Sequence, residues 1–185
     1  TYAAGGDTAG LPVRRPFRDF LAWLDAQDRD AALDRWRRAL GDEPAATLLA
    51  PDSAALGTRP VEHRLPGLGD LGDRLAVRAR EAGLTVGTLM QTAWGLALAA
   101  ELGRDEVLLG TIVSGRSPEL EGAGEIIGMT LGAIPIRVDA APGDTVLAVA
   151  ERVQTAQTAV MDDHWVGLPA IAGAVGLGEM FDSLL

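Results

Sequence analysis

The sequence predicts an α/β fold in which a mixed sheet is covered by long helices. Three observations carry this expectation. The stretch between Thr85 and Gly103 is apolar around most of a helical circumference, as befits an interior helix. Two apolar strand patterns follow, Val107 to Ser114 and about Leu131 to Val138. After them, Val146, Val149, Val153, Ala156 and Val160 recur at helical spacing. Strands alternating with long helices mark α/β architecture.

Each element has a local reason. Phe17, Phe20, Leu21 and Leu24, then Leu33, Trp36 and Leu40, follow a helical period that Gly41 ends. Residues 41–60 hold Pro44, Pro51, Gly57 and Pro60 and read as a loop. VEHRL, 61–65, is a strand candidate stopped by Pro66. A helix from about Asp70 to Ala82 places Leu71, Leu75 and Ala79 on one face, and Gly83 closes it. Thr85 is a good N-cap and Gly103 a good stop for the next helix. One stripe holds Val86, Leu89, Met90, Ala93, Trp94 and Ala97; Leu96 and Leu98 put apolar groups on the other side as well, and a helix apolar nearly all round is expected in the interior. At roughly 27 Å it matches the strand that follows, about 26 Å long, and can cover it. PGD, 142–144, opens the last long helix, and a short helix lies around Pro169 to Val175. FDSLL, 181–185, reads as a strand.

Composition excludes several functions. Apolar residues make up 48% and charged residues 23% of the 185, ordinary for one domain or one lobe of a larger one. Net charge is −10, and all 16 basic residues are Arg. An acidic surface repels phosphate backbones, so no nucleic-acid partner is expected. Without Lys there is no Schiff base and no Walker lysine. Without Cys there is no disulfide, thiolate zinc site or Cys nucleophile. No apolar run is long enough to span a bilayer and no leader pattern opens the chain, so a cytoplasmic location away from membranes is expected.

Recognisable catalytic chemistry is sparse. GLGDLG, 67–72, fits GxGxxG, but the strand before it is half polar and no acid stands about twenty residues on. It reads as a helix entry. Asp162, Asp163 and His164 form an acid–imidazole cluster that reads as a helix end, and no metal site is expected. Ser114 lacks a GxSxG elbow, although residue types alone leave a Ser–His–Asp arrangement with His164 open. Arg14 to Arg38 is locally basic but interleaved with Asp, and reads first as a salt-bridged helix face. Its other reading is a docking patch for an acidic partner.

Several stretches together resemble the condensation domains of nonribosomal peptide synthetases. PFRDFLAWL, 16–24, is similar to the family's Y-x-D-(F/Y)-xx-W motif at Phe17, Asp19, Phe20 and Trp23. LGTIVSGRSPEL, 109–120, resembles the strand-plus-loop segment with SGR-x-PEL. IIGMTLGAIPIRV, 126–138, resembles VG-xF-xNT-xPxR at Gly128, Pro135 and Arg137. DDHWVGLPAI and MFDSLL resemble later segments, in the right order.

The resemblance implies one chloramphenicol acetyltransferase-like lobe. Residues 1–16 would be a linker from an N-terminal lobe, and residues 17–185 a C-terminal lobe truncated at its C-terminal end. The family's HHxxxDG motif belongs to the N-terminal lobe and does not occur here, so no catalytic residue is expected in this chain. Expected partners are that lobe and the upstream and downstream peptidyl carrier proteins. Their phosphopantetheine arms would bring the substrates, and no cofactor would bind the chain directly. The activity implied is acyl transfer that forms amide bonds in antibiotic and other secondary-metabolite synthesis, with the fragment alone inactive. An epimerisation domain, or a non-catalytic carrier-binding or recruitment domain of the same fold, is the alternative.

Residues expected to line the substrate tunnel are Ser114, Gly115, Arg116, Gly128, Met129, Thr130 and Gly132. Arg14, Arg15 and Arg18 are candidates for carrier docking. Glycines 115, 128 and 132 would let a thin arm pass close to backbone, or else serve bulges and a strand entry. Gly132 stands where the family has Asn. Arg116 is expected to hold its loop by pairing with Glu119, Glu121 or Glu125.

Overall fold

The computed structural model describes residues 14–51, 61–64, 66–67 and 69–185. Residues 1–13 of the expected linker, 52–60 of the expected loop and Leu65 of the strand candidate lie outside them. The elements are α1 (Phe17–Asp25), α2 (Arg29–Leu40), α3 (Asp70–Glu81), α4 (Val86–Leu102), β1 (Glu106–Val113), β2 (Gly132–Asp139), α5 (Val146–Ala159) and α6 (Leu168–Ala174). Single 3-10 turns cover Ala123–Glu125 and Met161–Asp163.

Local chemistry sets the boundaries. The helix expected from Phe17 to Leu40 is two helices. Asp28 ends the continuity because its carboxylate accepts from Ala31 N at 3.0 Å and caps α2. Residues 61–64 are irregular rather than a strand; Glu62 and Arg64 pair with each other in solvent, and all four residues are exposed. Thr85 caps α4 by accepting from Thr88 N at 3.0 Å, and Gly103 ends it with a left-handed φ of 61°. Thr145 caps α5 in the same way, accepting from Ala148 N at 3.2 Å.

β1 and β2 pair antiparallel, from Glu106 opposite Asp139 to Val113 opposite Gly132. The FDSLL segment runs parallel to β1 on its other side. Gly110 N donates to Ser183 O, and Leu185 N donates to Gly110 O, both at 2.9 Å. The sheet is therefore mixed, and β1 is its interior strand. Thr47 pairs with Phe181, and its hydroxyl accepts from Leu108 N at 2.8 Å.

One sheet face is covered by α4 and α5. A Cβ at Gly95 would overlap the Val138 side chain, so this glycine lets α4 settle directly onto β2. The opposite face at Gly110 is filled by Phe181 and Leu184. Val107, Leu108 and Leu109 are fully buried, and with Trp36, Leu40, Ile134, Val149 and Ile171 they form the main core. A separate cluster joins Phe20 to Leu120, Ala123 and Ile126.

α4 is not buried nearly all round as expected: one side faces the interior, and it is not the side with the largest apolar residues. Val86, Met90, Ala93, Trp94 and Ala97 face outward, and Thr88, Gln91, Thr92, Gly95, Leu98 and Ala99 face in. The polar members are satisfied across helices: Thr88 Oγ1 donates to Gln154 Oε1 at 3.1 Å, and Gln157 Nε2 donates to Gln91 Oε1 at 2.8 Å. Among the described residues, no helix is long and apolar enough to cross a membrane.

Candidate functional site

A crevice of about 250 Å³ opens where β1 ends. One wall is the segment 113–118, with Val113, Ser114 and Arg116. The other is 161–165, with Met161, His164 and Trp165. Each wall is tied down by an arginine. Arg116 Nη1 donates to the carbonyls of Ala123 and, at 3.0 Å, of Ile126, folding the loop after β1 back on itself. The expected loop-holding role is present. Its partners are backbone carbonyls rather than Glu119, Glu121 or Glu125, because the 3-10 turn aims those carbonyls at the guanidinium. On the other wall, Arg35 donates twice to the buried Asp163 carboxylate, at 2.5 and 2.6 Å. Trp36 Nε1 donates to Asp163 O at 3.2 Å.

The three glycines do different things. Gly115 has φ +62°, and a Cβ there would overlap the Thr130 carbonyl. Gly128 lies under Phe17, whose ring occupies the space a side chain would need. Both are accounted for by the protein's own packing. Gly132 is half-buried, and a Cβ there would meet only Val113 Cγ2 at 3.8 Å and His164 O at 3.9 Å. Of the three, it alone has an unused opening, and it borders the crevice.

Ser114, Gly115 and Arg116 therefore meet in one wall with Gly132 beside them, whereas Gly128 is set against α1. Thr130 is buried, and Met129 points outward at 83% exposure. With Ile127 at 71% and Leu131 at 66%, alternation gives this segment an apolar comb. Ile112, at 52%, exposes further apolar surface at the open end of the sheet. The sequence reading did not single out Met161 or Trp165 as site residues. The only signal for them was their place in and beside DDHWVGLPAI.

Among the described residues, no Ser–His–Asp arrangement forms. Ser114 Oγ accepts from Arg116 N at 3.3 Å, Asp163 is held by Arg35, and His164 Nε2 is buried without a hydrogen-bond partner. Burial pushes the His164 pKa below its ordinary value, partly opposed by the Asp163 and Asp162 carboxylates, so the ring is held towards its neutral form. At the other end of the sheet, Arg137 Nη2 bonds Glu106 at 2.5 Å and fixes the β1–β2 register. Of the docking candidates, Arg15 is paired to Asp19 at 3.0 Å, Arg18 is exposed and 3.9 Å from the same carboxylate, and Arg14 is exposed.

The ordered motifs, set on the mixed sheet and around the crevice between the loop after β1 and the 161–165 turn, resemble those of condensation domains. Residues 1–182 match the condensation domain family, and the chain belongs to it. Among curated relatives, vanchrobactin synthetase VabF of Vibrio anguillarum is 32% identical over 174 residues, 94% of this chain and 6% of that protein. Tyrocidine synthase 2 of Brevibacillus parabrevis is 32% identical over 136 residues, 72% of this chain and 4% of that protein. The chain thus spans a small part of the length of these relatives. In fold it is similar to the X-domain from teicoplanin biosynthesis, with a TM-score of 0.70 and 22% identity over 99% of this chain and 44% of that one. It is also similar to the first condensation domain of the CDA synthetase, with a TM-score of 0.65 and 18% identity over 89% of this chain and 36% of that one.

Proposed function

We propose that this chain is the C-terminal lobe of a nonribosomal peptide synthetase condensation domain and works only with its N-terminal lobe. The observation that carries the reading is the uncovered apolar surface of Ile112, Ile127, Met129 and Leu131 around the crevice. Exposed apolar surface of this kind marks a contact with another protein body. In the crevice, Ser114 is engaged by its own loop and His164 is held towards neutrality. Both fit a division of labour in which the reactive imidazole comes from the partner lobe.

In the whole domain, an amine on the downstream carrier attacks the thioester carbonyl on the upstream carrier. The C–N bond forms, the C–S bond breaks, and the amine's proton leaves as the upstream pantetheine thiol is released. The chain's contribution is to wall the passage. Gly132 leaves backbone open to a thin arm, Ser114 offers a hydroxyl, and Val113, Met161 and Trp165 supply apolar walls. Met129 continues that lining towards the seam, and Thr130, buried behind it, backs Gly115 with its carbonyl. Arg14 and Arg18 provide exposed positive charge for an acidic carrier, with Arg15 and, more weakly, Arg18 offset by Asp19.

The test uses two loaded carriers with this chain, with the N-terminal lobe, and with both. Amide product is expected only with both lobes. Product from this chain alone overturns the division of labour. Carrier binding by the paired lobes without product moves the reading to recruitment.

A further inference from the structure

We infer that α1 is a strut that sets the width of the crevice, with Phe17 and Trp23 as positioning residues for the two walls. The inference rests on the proposed function for its catalytic meaning, and on geometry alone for its structural content. The aromatic side chains of α1 form one row. Phe17 and Phe20 lie 5.5 Å apart, Phe20 and Trp23 stack at 6.2 Å, and Trp23 meets Trp165 edge-on at 6.3 Å and 80°. At one end of the row, Phe17 fills the side-chain space of Gly128, while Phe20 packs with Leu120, Ala123 and Ile126. Those residues belong to the loop that Arg116 holds as the first wall. At the other end, Trp165 is part of the second wall.

A single helix thus touches both sides. Among the described residues, no hydrogen bond or ion pair runs directly from 113–118 to 161–165. The Arg116 hold ties the first wall to its own loop, and the Arg35 hold ties the second wall to α2. Both walls also rest on the main core, through Val113 and Trp165; the aromatic row is the bridge between them that runs outside it. The α1 part of the row, Phe17, Phe20 and Trp23, belongs to the separate cluster, and only Trp165 at its far end packs against the main core. The α1 part can therefore be altered while β1, β2 and α5 stay packed.

Hydrogen–deuterium exchange on the 185-residue chain tests the strut. The reporter amides on the first side are Ala123, Glu125 and Ile126, which donate to Leu120, Gly122 and Ala123 carbonyls. On the second side they are Asp163 and Val166, which donate to Val160 and Asp163 carbonyls. Phe17→Ala is expected to speed exchange at 123–126, and Trp23→Ala at 163–166, each by roughly tenfold or more, with α5 unchanged. Gly128→Ala should loosen 123–126 alone, and adding Phe17→Ala to it should cost nothing further, because the overlapping ring is gone. Trp23→Phe, which keeps a ring, should restore protection at 163–166. Should Trp23→Ala disturb α5 as well, Trp23→Phe decides by the same readout. Exchange within about twofold of the parent at both segments in both alanine variants overturns the strut.

In the two-lobe domain, Trp23→Ala should lower kcat about tenfold while KM for the carriers holds, since Trp23 faces Trp165 and the docking candidates Arg14 and Arg18 stand at the N-terminal end of α1, and Trp23→Phe should recover it. A parent two-lobe domain without turnover defeats the proposed function, and the exchange result still decides the strut.

Discussion

Arg35 grips the buried carboxylate of Asp163 through two parallel hydrogen bonds of 2.5 and 2.6 Å, joining α2 to the turn that carries His164 and Trp165. The two residues lie 128 positions apart, so the pair is a tertiary latch. Arg35→Leu leaves Asp163 buried and uncompensated. Because the guanidinium is partly exposed, the expected loss is roughly 2–3 kcal/mol, below the range for a fully buried pair. Arg35→Leu combined with Asp163→Leu should recover much of it. Urea unfolding of the single and double variants measures both.

Gly115 and Gly132 look alike in sequence and should respond oppositely to a methyl group. Gly115→Ala must place a side chain at φ +62° and against the Thr130 carbonyl, and an expected cost of about 2 kcal/mol or more follows. Gly132→Ala meets nothing closer than 3.8 Å and should change stability by no more than about 0.5 kcal/mol. Thermal unfolding separates the two. Only Gly132 variants should then alter turnover in the two-lobe domain while the fold stays intact.

His164 predicts an acid-side loss of stability. Its folded pKa is lowered by burial, so between that value and the unfolded value of about 6.5 the unfolded chain binds more protons. This contribution is fully present above about pH 6.5, is lost as pH falls through that value, and stops changing below the folded pKa. His164→Gln should flatten the stability profile in this window. A variant with the parent's slope there would show that other groups set it.

The comb of Ile127, Met129 and Leu131 should matter to association and hardly at all to folding. Replacing the three with Ser is expected to leave the melting curve of the chain nearly unchanged, within about 0.5 kcal/mol per site. The same change should abolish co-elution with the N-terminal lobe. Retained co-elution would assign the comb another role.

Much of the framework was legible in the residues. Thr85 and Gly103 bracket α4 because capping chemistry is local, and the two strands and α5 follow from short-range period. What local pattern hid was which way α4 turns. Its most apolar side, with Met90 and Trp94, faces out, because Gly95 permits contact with Val138 and Gln91 and Thr88 find partners on α5 and β1. A run of small and polar residues marks the contact with β2 and α5, and in a helix apolar on both sides the hydrophobic pattern could not single it out. The break at Asp28 was readable as a cap, yet the continuing apolar period masked it. At the site, the motif order pointed to Ser114 and Gly132. It gave no sign that Gly128 makes room for Phe17, a pairing across more than a hundred residues that no window of sequence contains.

The parallel seating of residues 183–185 against β1, and of Phe181 against Thr47, has a consequence for how the chain is made. Thr47 waits for a partner synthesised well over a hundred residues later, and the far side of Gly110 stays open until Phe181 and Leu184 arrive. Loop-closure entropy on that scale makes docking of the tail a late event. While the ribosome is still extending the chain, the helices can form, but the interior strand lacks one neighbour and keeps an open edge until residues 181–185 emerge.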